Sequence, residues 1–362
     1  MKLEDIIIEE IHRNGPLSFA RFQELALYHP ELGYYCSGRE KLGFDGDFYT
    51  SCTLSPVFGE TIAVQLLEMW QTSLPGDLTI VEYGAGTGEL CSAILNFFKG
   101  QGQLPGKVHY VIIEISPALR SAQQEKLPPE VRWIGNIAEI AGFQGVVLSN
   151  ELVDNLPVHR VQMRNELKEV RVDYKEGFTE VEIAAPEALR RYFQDLRVEL
   201  PAGYRTEVCL AAGKWLKEVS AALHKGFVMT IDYGYLSGDL YNASRAEGTL
   251  TCYRNHKVNY RPYEFIGQQD ISAHVNFSAL VLFGMNNGLL LTGFREQGPF
   301  LRSLGFEKRL LERTGNEDIR AATHQQNLVL QTLLVEMGRK FKILLQHRGL
   351  EKPLLKGFEV NT

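Results

Sequence analysis

Three glycines follow an apolar run in the stretch VEYGAGTGEL, residues 81–90. In an open parallel sheet, ligands bind beyond the carboxyl ends of the strands, and a glycine there lets the backbone approach the ligand closely. Gly84, Gly86 and Gly88 therefore predict a loop that holds a ligand. The alternative is a tight turn between a strand and a helix that binds nothing.

Acidic residues beside this loop indicate which ligand it would hold. The dinucleotide fingerprint G-x-G-x-x-G brings a pyrophosphate to a helix N-terminus, but the residue in place of its third glycine here is Glu89. Glu82 adds a second carboxylate two residues before Gly84. Two negative charges would repel a pyrophosphate and would suit a cation without phosphate. S-adenosylmethionine, with its sulfonium and ammonium groups, fits this description, and Glu82 would orient its amino-acid end through water.

Two more polar residues follow the next strands. Glu114 ends the second predicted strand, where a carboxylate can accept both hydroxyl protons of a ribose. Dinucleotide and S-adenosylmethionine sites share this feature, so Glu114 indicates a nucleoside without choosing between the two. Asn136 follows the third strand, where we expect a contact with adenine. The alternative for Asn136 is a residue that only stabilises a turn.

The loop after the fourth predicted strand carries the candidate catalytic residues Asn150, Glu151 and Asp154. Methyl transfer is an in-line displacement, and the main demand on the protein is to align the reacting atoms. If the acceptor is an arginine, Glu151 and Asp154 could hold its guanidinium in a bidentate manner. The alternative is that Asn150 and Asp154 cap a turn or a helix.

The segment GDFYTS, residues 46–51, is predicted to form a lid over the cofactor. Its glycine permits movement, and its aromatic rings could cover the adenosyl group or exclude water. The candidate cofactor-binding residues in this segment are Gly46, Asp47, Phe48 and Thr50. The alternative is a surface loop held together by its aromatic side chains.

Three other residues are weaker candidates. His256 and His274 lie in polar loops without cysteine or histidine at ligand spacing, so we expect no metal site, although His274 could line a substrate channel. Asp232 ends the fifth predicted strand and is expected either to help form the site or to accept hydrogen bonds from loop backbone.

Composition restricts the class of protein. The chain has 362 residues, 44% of them hydrophobic and 23% charged, which is typical of a globular protein. A net charge of -6 argues against a surface that generally binds nucleic acid. Five scattered cysteines predict reduced thiols and a cytoplasmic location. The acidic amphipathic N-terminal stretch resembles neither a secretory signal nor a transit peptide. The sequence contains no run of eighteen apolar residues, so we expect no membrane insertion.

Strands alternate with helices from residue 77 onward, which predicts an α/β fold with a parallel sheet and helices on both faces. We divide the chain into an N-terminal helical and lid segment (1–76), a cofactor-binding half (77–156), an inserted hairpin and helical subdomain (157–225), and a remainder (226–362) that includes substrate-side loops at 235–278. The predicted helices outside the alternating region include 3–13, 18–28, 56–74, 186–197, 206–224 and one around 319–335.

Several separate stretches carry a family resemblance that spans nearly the whole chain. They are YHPELGYY (28–35), GDFYTS (46–51), FGE (58–60), EYGAGTGEL (82–90), EISPALRSAQ (114–123), NELVDNLPVHR (150–160), IDYGY (231–235), GTLTCYRNH (248–256) and DISAHVNFSAL (270–280). In these the sequence resembles the MidA-like family of S-adenosylmethionine-dependent methyltransferases, which includes a mitochondrial assembly-factor methyltransferase of respiratory complex I.

The resemblance implies a Rossmann-like, seven-stranded methyltransferase sheet whose last strand, KFKILLQHR, is antiparallel. It also implies S-adenosylmethionine as cofactor, a protein arginine as acceptor, and a link to respiratory complex assembly. The chain departs from the family at three positions, where Ala85 replaces a proline, Val153 an aromatic residue and Asn276 an aspartate. Asn276 exchanges an acceptor-only side chain for an amide, so any chemical role of that aspartate would change here.

Two other functions are compatible with the sequence. A small-molecule O- or N-methyltransferase would need a closed apolar pocket formed by residues 235–278, whereas a protein acceptor needs an open groove. A non-enzymatic assembly chaperone would bind S-adenosylmethionine as a structural ligand and grip a partner through residues 157–225. Glu89 disfavours a third function, that of a nicotinamide oxidoreductase. The sequence leaves the oligomeric state open.

Overall fold

The computed structural model describes residues 2–37, 51–313 and 323–359. Within these ranges the strands are β1 Leu17–Ser18, β2 Leu78–Tyr83, β3 Val108–Ile113, β4 Arg132–Ile134, β5 Phe143–Asn150, β6 His159–Met163, β7 Leu167–Tyr174, β8 Phe178–Ala184, β9 Arg205–Val208, β10 Leu223–Tyr235, β11 Thr251–Arg254, β12 Lys257–Asn259, β13 Asp270–Ser272, β14 Val275–Asn276, β15 Leu290–Glu296 and β16 Phe341–Arg348.

The α-helices of the same ranges surround these strands. They are α1 Leu3–Asn14, α2 Phe19–Tyr28, α3 Ser51–Leu54, α4 Pro56–Ser73, α5 Glu89–Lys99, α6 Pro117–Lys126, α7 Glu187–Leu196, α8 Leu210–Ala222, α9 Ser237–Leu240, α10 Phe277–Asn286, α11 Gln297–Ser303, α12 Phe306–Glu312, α13 His324–Leu330 and α14 Met337–Lys340. None of the helices described by the structure is long and apolar enough to cross a bilayer.

The central sheet has the strand order β15-β16-β10-β5-β2-β3-β4, and the short β14 pairs with β10 beside it. Strands β10, β5, β2, β3 and β4 are parallel, while β16 is antiparallel to both of its neighbours. The prediction of a seven-stranded sheet with an antiparallel last strand is therefore confirmed. Because the parallel strands share a direction, the loops that follow them meet at one edge of the sheet.

Alternate side chains of the strands build two hydrophobic layers, one on each face. Ile80 of β2 packs with helices α4 and α5, through residues such as Phe58. Val81, the next residue, packs on the opposite face with helix α8, through Leu216. Side chains of a strand point alternately to its two faces, and burial of both faces explains why these strands are almost continuously apolar.

The N-terminal helices were predicted closely. Helix α2 begins after Ser18, whose Oγ accepts a hydrogen bond from the Arg21 backbone N–H at 3.2 Å, as expected of an N-cap. The segment is not only helical, however. Leu17 and Ser18 form β1, which pairs with β7 and so joins the N-terminal segment to the inserted sheet.

The hairpin predicted within the insertion at 157–225 is confirmed as antiparallel β6 and β7, but the insertion contains more strand than expected. Strand β8 pairs with β7, and β9 pairs with β6. The prediction of a helix at 206–224 is wrong at both ends, since β9 occupies its start and β10 begins at its end. The helix that remains, α8, packs on the central sheet rather than on the hairpin.

Two other predictions need correction. Residues 235–278 were expected to be irregular, but β11, β12 and β13 form a three-stranded sheet there. Asn255 and His256, with φ values of 50° and 58°, make the tight turn between β11 and β12. Within the described residues, the helix expected around 319–335 begins with α13. It continues through a π-helical turn, Gln331–Glu336, into α14.

Candidate active site

The glycine loop lies between the end of β2 and the start of α5. Gly84, Gly86 and Gly88 have φ values of 64°, 56° and 87°, in the left-handed region that favours glycine. A Cβ at Gly84 would lie 3.2 Å from Leu152 Cδ1, so the bend is crowded as well as left-handed. Gly84 and Gly86 line a large cavity.

Gly88 has a different place from the other two glycines. It is the N-cap of α5, and a Cβ there would lie 3.1 Å from Leu127 Cδ1. Among the described residues that line the cavity, Gly88 is absent. Its backbone serves the start and packing of the helix, and its role as a cofactor-binding residue stays a prediction.

The cavity has a volume of about 840 Å³ and opens at the carboxyl edge of the parallel sheet. Its walls come from the segments that follow β2, β3, β4, β5 and β10, and from the N-terminal segment and β13. This is the edge at which open α/β sheets bind ligands. The site therefore draws together residues from distant parts of the chain.

Glu82 is a buried carboxyl group at the base of the glycine loop, with 2% of its surface exposed. Its Oε2 accepts a hydrogen bond from the Tyr110 hydroxyl at 2.7 Å. Burial is the largest cause that raises the pKa of Glu82, Glu89 and Glu114 add to it, and the hydrogen bond from Tyr110 opposes it, so the pKa is about 7. A cation in the cavity would favour the ionised form, so Glu82 is suited to the amino-acid end of S-adenosylmethionine.

The negative charge of Glu89 is compensated by neighbouring side chains, which the sequence argument did not take into account. The Lys126 Nζ lies 2.6 Å from its Oε1, and the Thr87 hydroxyl donates to its other oxygen. Burial acts to raise the pKa of Glu89, but these two partners outweigh it and lower the pKa. Because Lys126 neutralises this charge, the preference for a cation depends on Glu82 more than on Glu89.

Glu114 lines the cavity at the end of β3, as predicted for a ribose-binding residue. Its two oxygens accept hydrogen bonds from the Ser116 backbone N–H at 2.8 Å and from Gln123 Nε2 at 3.2 Å. The same Gln123 nitrogen donates to the Gly86 carbonyl at 2.7 Å. Gln123, which the sequence argument missed, therefore connects the glycine loop to Glu114. Burial raises the pKa of Glu114.

Asn136 also lines the cavity, where it follows β4. Its Oδ1 accepts a hydrogen bond from the Ala138 backbone N–H at 2.8 Å and caps a short 3₁₀-helix, Ile137–Ile140. Both interpretations made from the sequence are thus compatible with its position, because the capping residue also faces the cavity.

The candidate catalytic residues lie together in the wall of the cavity, at the end of β5 and on the loop that follows it. Asn150 Nδ2 and the Ser51 backbone N–H each donate to Glu151 Oε1, at 3.2 Å. Burial raises the pKa of Glu151 to about 8, with Asp232 as the next cause. Glu151 also has a φ of 53°, which is uncommon for a residue other than glycine and is found more often at functional sites.

Asp154 is buried beside them, with 5% of its surface exposed. Its Oδ1 and the Oδ1 of Asn150 have no hydrogen-bond partner among the described residues. Burial raises the pKa of Asp154 well above its ordinary value, and Asp232, Asp270 and Glu151 add to this effect. Buried polar atoms are normally paired, so these unpaired oxygens indicate that the site is completed by a ligand.

Two more carboxyl groups complete this cluster. Asp232 is fully buried, and its Oδ2 accepts hydrogen bonds from the backbone N–H groups of Val153 at 2.9 Å and Asp154 at 3.3 Å. Asp232 thus accepts hydrogen bonds from the loop backbone, which is one of the two interpretations made from the sequence. Asp270 of β13 lines the cavity and was missed as a site residue, although it begins the family stretch at 270–280.

The described lining of the cavity is strongly acidic, with eight carboxylic residues and one lysine, Lys340. Two of the eight have ion-pair partners, Arg21 for Glu24 and Lys126 for Glu89. The other six have none within the described ranges, and they are Glu82, Glu114, Glu151, Asp154, Glu218 and Asp270. Except for the exposed Glu218, these carboxyl groups are buried or half-buried without a cationic partner, which is costly, so the cavity is suited to a cationic ligand.

The remaining candidates have separate outcomes. Gly46, Asp47, Phe48 and Thr50 lie outside the described residues. His274 lines the cavity, and burial lowers its pKa to about 4, so its ring is neutral at pH 7. No cluster of side chains suited to a metal ion occurs in the part of the chain that the structure describes.

Asn276, which departs from the family pattern, is not one of the described residues that line this cavity. It caps α10, since its Oδ1 accepts from the Ala279 backbone N–H at 3.2 Å. Its Nδ2 donates to the hydroxyls of Tyr192 at 2.9 Å and Tyr241 at 3.1 Å. The amide is therefore used fully in a structural role.

Comparisons with known proteins show the family of the chain. Residues 61–295 match the family described as "Putative S-adenosyl-L-methionine-dependent methyltransferase". A Burkholderia thailandensis protein, crystallised with S-adenosyl-homocysteine and described as a "likely methyl transferase", is 31% identical with a TM-score of 0.88, over 98% of this chain and 94% of that one.

Curated relatives match over a similar length. The bovine (Bos taurus) "Protein arginine methyltransferase NDUFAF7, mitochondrial" is 28% identical over 380 residues, which cover 93% of this chain and 81% of the relative. The human protein of the same name is 26% identical over 388 residues, 95% of this chain and 83% of the relative. The chain belongs to the MidA-like family of S-adenosylmethionine-dependent methyltransferases.

Proposed function

We propose that this methyltransferase acts on an arginine side chain of a protein acceptor. One observation carries the proposal, namely that Glu151, Asp154 and Asp270 line the cavity without a basic partner among the described residues. An arginine arrives charged, because its pKa is about 12.5–13.8. A guanidinium is therefore the acceptor that best compensates the cost of burying these carboxyl groups. The printed names of the relatives support the same acceptor.

The residues on the cofactor side divide the binding of S-adenosylmethionine between them. Gly84 and Gly86 leave space where side chains would intrude, Glu82 faces the amino-acid end, and Glu114 faces the ribose. The bound cofactor supplies a methyl group already activated by its sulfonium. The contribution of the protein is to hold the acceptor in line, an effect worth up to ~7–11 kcal/mol when the geometry is ideal.

Glu151 and Asp154 would hold the acceptor guanidinium. A bidentate carboxylate fixes the plane of the guanidinium and so presents one of its nitrogens for reaction. The raised pKa of Glu151, about 8, means that its carboxyl group is largely protonated at pH 7 before the acceptor binds. Entry of a cation favours ionisation, so binding of the acceptor would release protons. Asp232 supports this arrangement through its hydrogen bonds to the loop backbone.

The alternatives are less well supported. The residues of 235–278 that line the cavity are Tyr235, Tyr253, Asp270, Ser272 and His274, which are polar or aromatic rather than aliphatic. They do not resemble the closed apolar pocket expected of a small-molecule methyltransferase. A chaperone that only binds the cofactor would not need unpaired carboxyl groups on the acceptor side. The link to respiratory complex assembly and the cytoplasmic location stay predictions.

A radiolabelled methyl-transfer assay tests the proposal. Lysate from a strain that lacks the protein is incubated with purified protein and labelled S-adenosylmethionine, and the labelled band is analysed by mass spectrometry. We expect methylarginine in a protein, and at least tenfold less of it with Glu151→Gln. Glu187→Gln, an exposed change on α7, is the matched control. Label in a small molecule, or no label although the cofactor binds, would contradict the proposal.

A further inference from the structure

We propose that Asp270 is a specificity residue of this site and the fixed negative charge to which the acceptor guanidinium binds. The inference rests on the proposed function and deepens it. Asp270 begins β13, far along the chain from Glu151 and Asp154, yet it lines the same cavity. Only 3% of its surface is exposed.

Two donors from different elements hold the Asp270 carboxylate in place. The Tyr35 hydroxyl and the Asn155 Nδ2 both donate to its Oδ1, at 2.8 Å and 2.9 Å. Asn155 is itself fixed, because its carbonyl accepts a hydrogen bond from the Tyr28 hydroxyl at 3.0 Å. The rings of Tyr28 and Tyr35 stack with their centroids 5.6 Å apart. The carboxylate is therefore held rigidly before any ligand arrives, which lowers the entropic cost of binding.

The surroundings of Asp270 differ from those of the other two carboxyl groups. Asp154 has an oxygen without a partner, and the backbone of Glu151 is strained. Hydrogen bonds to a carboxylate favour its ionised form. Burial raises the pKa of Asp270 only to about 6, against about 8 for Glu151. Asp270 is thus ionised at neutral pH while Glu151 is largely protonated.

An ionised, buried carboxylate needs a compensating cation, and the described residues provide no ion-pair partner for Asp270. A ligand of complementary shape can provide it. A guanidinium suits this wall better than an ammonium, because it can donate to Asp270 and to the loop carboxylates at once with its planar array of N–H groups. Asp270 would accordingly select arginine over lysine and over neutral analogues.

The competing explanation is structural, since Asp270 also ties β13 to Tyr35 and to the loop at Asn155. Asp270→Asn separates the two roles. The amide oxygen can still accept from Tyr35 and Asn155, but the charge is lost. Asp239→Asn is the matched control, because it makes the same change of net charge at an exposed position on α9 that does not line the cavity.

The probe for binding is N-acetyl-L-arginine methylamide, titrated by calorimetry into the protein loaded with S-adenosylhomocysteine. We expect Asp270→Asn to weaken binding at least tenfold, while the affinity for S-adenosylhomocysteine stays within twofold and Asp239→Asn behaves as the parent protein. The citrulline analogue, a neutral isostere, should bind weakly to parent and variant alike. Equal affinity of parent and Asp270→Asn for the arginine probe would overturn the inference.

Transfer to the labelled lysate protein provides a second readout. We expect Asp270→Asn to raise the KM for that protein more than it lowers kcat. If the parent protein labels an arginine and the variant does so with the same KM, this inference fails and the proposed function stands. If the parent protein neither labels a protein nor binds the probe, the proposed function itself fails.

Tyr35→Phe covers the case in which Asp270→Asn does not fold. It removes one donor to Asp270 and keeps the ring that stacks on Tyr28. We expect about threefold weaker binding of the arginine probe, the loss of one modest hydrogen bond. Unchanged binding in this variant would count against Asp270 as a fixed charge.

Discussion

Binding of S-adenosylhomocysteine should weaken about tenfold between pH 8 and pH 6, and Glu82→Gln should abolish this dependence. Burial raises the pKa of Glu82 in the empty site to about 7. The ammonium group of the ligand favours the ionised carboxylate. The favourable interaction is therefore present above pH 7 and is lost as the pH falls through that value.

The magnitude follows from the size of the shift. Raising the pKa of Glu82 from 4.5 to about 7 means that its ionisation in the empty site costs about 3 kcal/mol more than in water. If only the ionised form binds the ligand, the apparent Kd rises by a factor of roughly 1.1 at pH 8 and roughly 11 at pH 6. The ratio is about tenfold, or about 1.4 kcal/mol.

Calorimetry at pH 6, 7 and 8 and constant ionic strength would measure this step. Tyr110→Phe removes the hydroxyl that donates to Glu82 Oε2, so it should move the midpoint to higher pH. Glu114→Gln should keep the step, because Glu82 is still present, and should move its midpoint to slightly lower pH, because the charge of Glu114 helps to raise the pKa of Glu82. Equal affinity of the parent protein at pH 6 and pH 8, or a tenfold step that persists in Glu82→Gln, would refute the reasoning.

Three further predictions concern the loop, the empty site and the family departure. Gly86→Val should weaken S-adenosylhomocysteine binding at least 100-fold, as measured by calorimetry, because a β-branched residue rarely adopts the φ of 56° found at Gly86. Intact biological activity in this variant would favour the chaperone alternative. Burial raises the carboxyl pKa values of Glu82, Glu151 and Asp270, so the folded state binds more protons than the unfolded chain. The ligand-free protein should therefore have a higher melting temperature at pH 6 than at pH 8. A higher melting temperature at pH 8 in a fluorimetric scan would contradict this. Asn276→Asp should change the methyl-transfer rate by no more than about twofold, because both tyrosine hydroxyls can reverse and donate to a carboxylate.

The central sheet could be predicted because its strands are buried on both faces and read as continuous apolar runs. The glycine loop could also be predicted, because few residues other than glycine adopt left-handed φ values. Strands β8 and β9 were missed because their residues are largely polar or too few to show a period. The three-stranded sheet at β11 to β13 was missed because its strands have only three or four residues each.

The electrostatics of the site depended on contacts that the sequence does not display. Glu89 is neutralised by Lys126, which lies 37 positions further along the chain. Asp270 reaches the cavity only because β13 pairs with β11, and its partner Tyr35 comes from the N-terminal segment. Sequence spacing predicts which residues follow a strand, but it does not predict which distant side chains will face them.

With the role that we propose for Glu151, its left-handed backbone implies a conflict between thermal stability and methyl transfer. An L-residue in that conformation costs about 1–2 kcal/mol relative to a relaxed one, whereas glycine adopts it freely. Selection for heat resistance alone would thus favour glycine at position 151 and would discard the carboxyl group. Variants selected for thermal stability after random mutagenesis should be screened for this replacement, because under the proposed role of Glu151 they would survive heating and lose methyl transfer.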